Sequence, residues 1–217
     1  MAADAKFITF EGGEGSGKST QLARAAGWLE RHGIDVLRTR EPGGAPSAEL
    51  IRSLLVEGTT DRWQPVTEVL LHAAARTEHL AATVRPALAA GSWVLSDRFA
   101  DSTRAYQGYG HGVALEIIDQ VHAATTGPVI PDLTLVFDVS VATGLARAGR
   151  RAESASNAAA EDRYERMGQA FHDRVRDGFQ AIARENPGRC VVIDAEMDED
   201  AVHAATIAAI AERLGVG

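Results

Sequence analysis

A glycine-rich segment near the start of the sequence has the residue types and spacing of a phosphate-binding loop. It reads G-x-x-x-x-G-K-S from Gly12 to Ser19 and stands between an apolar run and an amphipathic segment. Glycines let the backbone turn tightly enough to point successive N–H groups at phosphate oxygens, and the N-terminus of the next helix adds partial positive charge. Lys18 can reach the β- and γ-phosphates of a nucleotide, and Ser19 can hold Mg²⁺. The candidate nucleotide-binding residues are Gly12, Gly13, Glu14, Gly15, Ser16, Gly17, Lys18, Ser19 and Thr20.

Glu14 is the unexpected residue of this loop. A carboxylate inside a phosphate-binding loop repels a nucleotide at close range, so its side chain must point away from the phosphates. Two interpretations stay open: Glu14 accepts a hydrogen bond from a hydroxyl of a second substrate, or it is a solvated acid at the tip of the loop.

A charged pair, Asp97 and Arg98, follows the apolar run 93–96. If that run is a parallel strand, the pair lies at its carboxyl end, where open α/β sheets bind their ligands. Asp97 is placed to join Mg²⁺ through water as the partner of Ser19, and a helix-capping role is the alternative. Arg98 is a candidate to bind an anionic substrate.

The elements that would position these residues follow an α/β rhythm. Short runs rich in β-branched and aromatic residues alternate with Ala-, Leu- and Arg-rich helical patterns, which is typical of parallel strands joined by helices. The predicted strands are 6–10, 34–39, 93–96, 133–139 and 190–194, and the predicted helices are 19–31, 48–55, 65–89, 115–124, 141–149, 163–183 and 199–214. We expect a doubly wound, five-stranded parallel sheet in a single domain spanning 1–217, since no linker divides the chain.

Two segments interrupt the rhythm. The Pro- and Gly-punctuated stretch 41–46 (EPGGAP) can continue neither of its neighbours. The stretch 149–161 (GRRAESASNAAAE) is small and polar with a basic start, which predicts a mobile lid over about 149–163.

Composition excludes several classes of protein. The 217 residues carry 22 Lys and Arg against 30 Asp and Glu, a formal net charge of −8, which argues against coating nucleic acid or an anionic membrane. Cys190 is the single cysteine, so an intramolecular disulfide and a cysteine-based metal site are excluded. We find no leader, lipidation signal or apolar run of membrane-spanning length, and expect a cytoplasmic protein without nucleic-acid or membrane partners.

Together with the phosphate-binding loop, five further segments closely resemble the thymidylate kinases of the bacterial type. They are 39–44 (TREPGG), 68–76 (EVLLHAAAR), 97–99 (DRF), 102–108 (STRAYQG) and 131–133 (PDL). The resemblance runs from about residue 7 to about residue 194. It implies the P-loop kinase fold with helices on both faces of the sheet and a short lid, ATP as phosphate donor, Mg²⁺, dTMP as acceptor in the dTTP pathway, and a homodimer.

The resemblance also implies roles for three arginines. Arg98 grips the acceptor phosphate, Arg52 approaches that phosphate from the helix after TREPGG, and Arg76 contacts the thymine edge. For each, a solvated surface arginine is the alternative. The attacking phosphate oxygen is already ionised at neutral pH, so the chemistry needs positioning and charge neutralisation rather than a general base.

The segment 102–108 resembles the part of the family that binds the nucleoside. Tyr106 would pack against C2′ of the sugar and crowd out a ribose hydroxyl, and Glu14 would then accept from the 3′-hydroxyl. The side chains implied to serve the pyrimidine edge are Ser102, Thr103 and Gln107.

His72 departs from the family pattern. Bacterial members usually carry phenylalanine stacked on thymine at this position, and imidazole is smaller and titrates near neutrality. Either His72 stacks on the base, or it is a polar helix residue and the base rests elsewhere.

The arginine that stabilises the transferring phosphoryl group is harder to place. The phosphate-binding loop has no basic residue before Lys18, so by the family's logic the lid must supply it. Arg150 and Arg151 are the favoured catalytic candidates, beside Arg147 and Arg163, and a solvated basic turn is the alternative.

Three rival functions remain at this point. The chain could be a kinase of another nucleoside monophosphate or deoxynucleoside, a non-catalytic nucleotide-binding module, or a nucleic-acid-stimulated ATPase; the negative charge argues against the last. The helix positions Val69, Leu70, Ala73 and Leu80 are expected in the core rather than on a partner surface.

Overall fold

The chain forms a five-stranded parallel sheet, as the sequence pattern predicts. The computed structural model describes residues 5–154 and 163–217, without the side chains of 151–154. The sheet has the order β2-β3-β1-β4-β5. Its strands are β1 (Phe7–Gly12), β2 (Val36–Arg40), β3 (Trp93–Asp97), β4 (Leu133–Asp138) and β5 (Cys190–Asp194). The predicted α/β class with five parallel strands is therefore confirmed, with strand ends shifted by up to two residues.

The helices cover both faces of this sheet. They are α1 (Lys18–Arg31), α2 (Pro46–Val56), α3 (Pro65–His79), α4 (Arg85–Ala89), α5 (Ala100–Thr103), α6 (Leu115–Thr126), α7 (Val141–Ser154), α8 (Gln169–Glu185) and α9 (Glu199–Leu214). A π-helical turn, Leu80–Val84, joins α3 to α4, and a π-helical segment, Arg104–Gly110, continues α5. In the described part of the chain we find no helix with the length and apolarity that a membrane span needs.

The register of the central strands places the candidate site. In the parallel pairing of β1 with β3, Phe10 lies opposite Asp97, and in the pairing of β1 with β4, Gly12 lies opposite Phe137. All six residues of β1 are buried, because helices cover both faces of this central strand. The phosphate-binding loop and the Asp97–Arg98 pair therefore meet at one edge of the sheet.

Two apolar layers hold the sheet in place. On one face, Ile8 and Phe10 of β1 pack with Leu22 and Leu29 of α1 and with residues of α9. On the other face, α8 and the segment Arg104–Gly110 pack around Val136. Of the four helix positions expected in the core, Val69, Ala73 and Leu80 are buried, whereas the expectation for Leu70 is wrong because its side chain is 53% exposed.

Several predicted helix limits need correction. The predicted helix 65–89 is helical throughout but contains the π turn; Pro86, which lacks an N–H and crowds the carbonyl four residues earlier, accounts for the interruption. The predicted helix 163–183 starts only at Gln169, after a turn closed by the Met167 N–H donating to the Tyr164 carbonyl. The helical stretch 100–110 was missed because its polar and glycine residues hide the apolar periodicity.

The predicted lid needs a correction at both ends. Gly149 to Ser154 belong to α7 rather than to a loop, since this stretch contains no proline and its arginines, alanine and glutamate favour a helix. Arg163, at the other end, is fully buried. The residues between 155 and 162 lie outside the described part of the chain.

Helix α8 approaches the segment Arg104–Gly110 closely at Gly178. A Cβ added to Gly178 would lie 2.7 Å from Cγ of Tyr109 and 2.8 Å from its Cβ. Gly149 of α7, by contrast, has nothing within 4 Å of its added Cβ. The absence of a side chain at Gly178 is therefore what lets α8 pack against the residues that follow Arg98.

We predict opposite effects of alanine at these two helical glycines. Gly149→Ala should raise the free energy of unfolding by about 0.5–1 kcal/mol through helix propensity. Gly178→Ala should lower it by about 1–3 kcal/mol, because the clash with Tyr109 outweighs the same gain in propensity. Urea unfolding of both variants measures the difference, and an equally stabilised Gly178→Ala would show that the contact is not tight.

Candidate active site

The phosphate-binding loop is formed by backbone conformations that glycine adopts readily. Gly12, Gly15 and Gly17 have φ of 138°, 63° and 85°, all in the region that L side chains rarely adopt. Lys18, only 6% exposed, folds back over the loop, and its Nζ donates to the Gly13 carbonyl at 2.7 Å and to Ser16 Oγ at 3.1 Å. The lysine amine is therefore held over the loop, where phosphate oxygens would lie.

The N-terminus of α1 is built to receive an anion. Its N-cap residue is Gly17, no side chain caps the helix, and the first turn contains no acidic residue. The free N–H groups and the helix dipole therefore remain available to a phosphate. Burial and the nearby Arg98 lower the pKa of Lys18 to about 8, against the opposing effect of Asp97 and Glu14. A bound phosphate would oppose this shift and favour the charged amine.

Ser19 and Asp97 meet across the mouth of the loop. The Ser19 hydroxyl donates to Asp97 Oδ2 at 2.5 Å, which the register of β1 against β3 makes possible. A hydroxyl and a carboxylate are the hard oxygen ligands that Mg²⁺ prefers, with waters and substrate phosphates completing its shell. Among the described residues there is no cluster of three or more His, Cys, Asp or Glu that would hold a metal by itself. The pair therefore fits an ion shared with a nucleotide.

These groups line a cleft of about 210 Å³ at the carboxyl edge of the sheet. Cationic side chains come to its wall from four separate segments, namely Lys18, Arg40, Arg52 and Arg98. Carboxylates also lie in the wall, namely Glu14, Glu41 and Asp97. Arg52 donates from Nη1 to the Pro42 carbonyl at 2.7 Å, which ties its helix to the TREPGG segment. The cleft thus has the charge and the position expected for binding phosphates.

Arg98 adopts a strained backbone conformation. It has φ of 71° and is the one non-glycine residue with positive φ in the part of the chain that the structure describes. Its Nη1 donates to the Gly12 carbonyl at 2.9 Å and its Nη2 to Glu14 Oε1 at 2.9 Å. The guanidinium also lies 4.9 Å from the ring centroid of Tyr106. Burial lowers the pKa of Arg98, but Tyr106 and Glu14 more than reverse this, so the side chain stays charged.

Glu14 turns towards Arg98 and away from solvent. Its Oε1 accepts from Arg98 and, at 2.7 Å, from the Tyr106 hydroxyl, and its side chain is 18% exposed. Burial raises its pKa, but the charges of Arg98 and Lys18 and the Tyr106 hydrogen bond lower it to about 2. Of the two sequence interpretations, the solvated acid at the loop tip is therefore wrong, while the contact with a sugar hydroxyl stays a prediction.

Arg76 lies in a buried network and is not a solvated surface arginine. Its side chain is 3% exposed, and Nε donates to Glu41 Oε2 at 2.7 Å. Its Nη2 donates to the Phe99 carbonyl at 3.1 Å and to Thr103 Oγ1 at 3.0 Å. His79 lies against the other Glu41 oxygen, with Nδ1 2.9 Å from Oε1. The sequence patterns predict no role for Glu41 or His79, although Glu41 stands inside the TREPGG segment.

The nucleoside-binding candidates share one helical stretch. Ser102 and Thr103 lie in α5, and Tyr106 and Gln107 follow four residues later in the π-helical segment, which places them on one side of the helix. Tyr106 is 5% exposed and Gln107 is 1% exposed. Their contacts with a base or sugar stay predictions.

His72 lies beside an unpredicted tyrosine. His72 Nε2 is 3.3 Å from the Tyr164 hydroxyl, and this hydroxyl also accepts from Gln107 Nε2 at 3.1 Å and donates to Glu68 Oε2 at 3.0 Å. Burial, followed by the charges of Arg76 and other nearby arginines, lowers the pKa of His72 to about 3, so the ring is neutral. The sequence patterns predict no role for Glu68 or Tyr164. Glu68 lies in the segment 68–76, but its partners Arg163 and Tyr164 lie more than 90 residues further along the chain.

Arg163 is a structural residue, which removes it from the candidates for the phosphoryl arginine. It is fully buried and forms a salt bridge with the equally buried Glu68. Its Nε and Nη1 donate to the carbonyls of Thr59 at 2.9 Å and Leu55 at 3.1 Å. This side chain thus joins the end of the lid region to α2, and a charge held in this way cannot follow a transferring phosphoryl group.

Of the other lid arginines, Arg147 and Arg150 lie in α7 within the described chain. Arg147 donates from Nη1 to the Ala195 carbonyl at 2.9 Å, which fixes its helix to the end of β5. Arg150 is exposed. The side chain of Arg151 lies outside the described part of the chain.

The Arg163–Glu68 pair leads to a stability prediction. Arg163→Met should lower the free energy of unfolding by about 3–5 kcal/mol, because it leaves the buried Glu68 carboxylate without its partner. The double variant Glu68→Gln/Arg163→Met should recover part of this loss, since no uncompensated charge remains. Urea unfolding measures both. An Arg163→Met protein of unchanged stability and much reduced turnover would contradict the structural assignment.

Comparisons with known proteins agree with this geometry. The family model described as thymidylate kinase matches residues 10–206. The thymidylate kinase of Caulobacter vibrioides is 51% identical over 97% of this chain and 98% of its own length, and that of Jannaschia sp. is 49% identical over 96% and 97%. The crystal structure of thymidylate kinase from Ehrlichia chaffeensis superposes with a TM-score of 0.74 at 36% identity, covering 95% of this chain and 98% of that one. The chain therefore belongs to the thymidylate kinase family.

Proposed function

We propose that this chain transfers the terminal phosphoryl group of ATP to dTMP and forms dTDP for dTTP synthesis, with Mg²⁺ as cofactor. Membership of the thymidylate kinase family supports the reaction and its acceptor. The single observation that carries the proposal is the cleft in which Lys18, Arg52 and Arg98, from three separate segments, face the Ser19–Asp97 pair. Such a cleft can bring the phosphates of two anionic substrates together.

The donor and acceptor phosphates would take different walls of the cleft. The phosphate-binding loop, Lys18 and the N-terminus of α1 would bind the donor's phosphates. Arg98 and Arg52 would bind the acceptor phosphate and bring it into line with the donor. The acceptor oxygen is already ionised at neutral pH, so these residues need only position it and balance its charge.

Ser19 and Asp97 are the residues that would hold Mg²⁺, Asp97 through water. When bound, the ion neutralises negative charge on the donor phosphates. The Ser19 hydroxyl donates to Asp97, and this hydrogen bond keeps the two side chains at the same edge of the cleft. Their role is to keep hard oxygen ligands beside the loop that cradles the phosphates.

The same wall would select the sugar. The Tyr106 ring is packed against the Arg98 guanidinium, and its hydroxyl is fixed on Glu14, so the ring cannot move aside for a ribose 2′-hydroxyl. Glu14, ionised over the whole neutral range, would accept from the 3′-hydroxyl. Side chains that would face the base are His72, Arg76, Ser102, Thr103 and Gln107.

Arg150 or Arg151, on α7, would supply the arginine that stabilises the transferring phosphoryl group. The support is the position of α7 against the phosphate-binding loop: a Cβ on Gly144 would lie 2.5 Å from the Glu14 carbonyl. The first turn of α7 therefore lies beside the donor site, and Arg150 and Arg151 lie further along the same helix.

A homodimer and a cytoplasmic location are part of the proposal. Apolar side chains are exposed on adjacent helices, with Val66 at 44%, Leu70 at 53% and Ile117 at 42%. A second copy of the chain would cover this face of α3 and α6.

An acceptor panel tests the function. With ATP and Mg²⁺, we expect phosphorylation of dTMP with a kcat/KM at least about a hundredfold above that for dCMP, dGMP or thymidine. Thymidine lacks the phosphate that Arg98 and Arg52 would bind, whereas dCMP and dGMP present a different hydrogen-bonding edge to the side chains that would face the base. The assay measures nucleoside diphosphate formed from each acceptor, with dUMP included. Preference for another acceptor would replace dTMP in the proposal, and no turnover at all would make the chain a binding module.

A second prediction concerns His72. His72→Ala should raise the KM for dTMP about tenfold through loss of stacking, whereas His72→Phe should stay within about threefold of the original protein. Because the pKa of His72 is lowered to about 3, the dependence of KM on pH from about 6 to 8 should be the same with histidine or phenylalanine. If both variants leave KM unchanged, the stacking role is wrong.

A further inference from the structure

A buried carboxylate lies beneath the turn that carries Arg98, and the proposed reaction leaves it without a role. Glu11 stands next to last in β1 and is fully buried. Its Oε1 accepts from the backbone N–H of Phe99 at 2.7 Å, and its Oε2 accepts from the Ser102 hydroxyl at 2.5 Å. Both carboxylate oxygens are thus engaged by residues just after Arg98.

The hydrogen bond to Phe99 bears on the backbone of Arg98. A non-glycine residue with φ of 71° is strained and persists only where its surroundings hold it. The residue that follows is held from two directions: Glu11 accepts from the Phe99 N–H, and Arg76 donates to the Phe99 carbonyl at 3.1 Å. Glu11 therefore fixes the chain immediately after the strained position.

The hydrogen bond to Ser102 bears on the side chain of Arg98. The hydroxyl hydrogen of Ser102 points to Glu11, so its lone pairs remain for Arg98 Nη1, which donates to Oγ at 3.1 Å. Arg98 Nη1 also donates to the carbonyl of Gly12, the residue next to Glu11. The backbone at Arg98, through Phe99, and the Arg98 guanidinium are therefore both connected by hydrogen bonds to the end of β1.

We propose that Glu11 is a positioning residue for Arg98: its carboxylate holds the left-handed turn and, through Ser102, aims the guanidinium at the acceptor-phosphate side of the cleft. The inference rests on the proposed role of Arg98 in binding dTMP. Glu11 connects β1, which leads into the phosphate-binding loop, to Arg98, which would bind the acceptor phosphate. The Glu11 side chain would therefore fix the position of the acceptor site relative to the donor site.

The test is a double-mutant cycle on dTMP binding. Glu11→Gln keeps the size of the side chain but offers one acceptor oxygen in place of two. We expect it to weaken dTMP binding about tenfold or more, with ATP binding changed less than about threefold. In an Arg98→Ala background the same substitution should weaken dTMP binding less than about twofold, because the group it positions is gone. Calorimetry gives the dissociation constants.

Asp101→Asn is the matched control. Asp101 is a buried carboxylate of α5, the helix that carries Ser102, but its hydrogen bonds go to Arg189, at 2.6 Å and 2.9 Å. The variant should lower the melting temperature and leave dTMP binding within about twofold. Equal weakening of dTMP binding by Asp101→Asn and Glu11→Gln would overturn the inference, since general loosening of the helix would then explain both.

The remaining outcomes separate this inference from the proposed function. If Glu11→Gln weakens dTMP binding by the same factor with and without Arg98, Glu11 does not act through Arg98 and the inference alone fails. If Arg98→Ala leaves dTMP binding unchanged, the role of Arg98 fails and takes the inference with it. Should Glu11→Gln not fold, Glu11→Asp replaces it in the cycle, because it keeps the carboxylate but withdraws it by one methylene from the Phe99 N–H and the Ser102 hydroxyl.

Discussion

The structure depends on a concentration of positive charge at one end of a sheet. A cleft that binds two phosphate-bearing substrates needs several cations close together, and in the absence of substrate those cations repel one another. Here carboxylates offset the repulsion: Glu14 pairs with Arg98, and Asp97 and Glu14 favour the charged form of Lys18.

Buried carboxylates hold the arginines and the surrounding helices in place. Glu41 holds Arg76, Glu68 holds Arg163, and Glu11 supports the turn of Arg98. Burying a charge is costly unless it is paired and hydrogen-bonded, and these carboxylates have partners for both oxygens. The benefit is rigidity, because a site that works by positioning rather than by proton transfer loses activity when its charges move.

The phosphate-binding loop, the strands and the position of the Asp97–Arg98 pair could be predicted from the sequence. The loop from Gly12 to Ser19 was recognised because glycine spacing is a local property, and the strands because burial on both faces produces continuous apolar runs. The approximate position of Asp97 and Arg98 followed from the end of β3. The helix after Arg98 was missed, since its polar face binds side chains instead of solvent and the usual apolar periodicity is lost.

Local pattern was sufficient for the order of the strands along the chain, the phosphate-binding loop and the residues that end each strand, because these depend on the conformational preferences of neighbouring residues. Only the tertiary structure decided which acidic side chain pairs with which arginine. From the sequence Arg163 is a plausible lid arginine, but it pairs with Glu68, which lies 95 residues away in the sequence. Glu14 looks out of place in a phosphate-binding loop, but in the folded chain Arg98 and Tyr106 both donate hydrogen bonds to it. Pairings over such separations arise from sheet register and helix packing, which no short stretch of sequence contains.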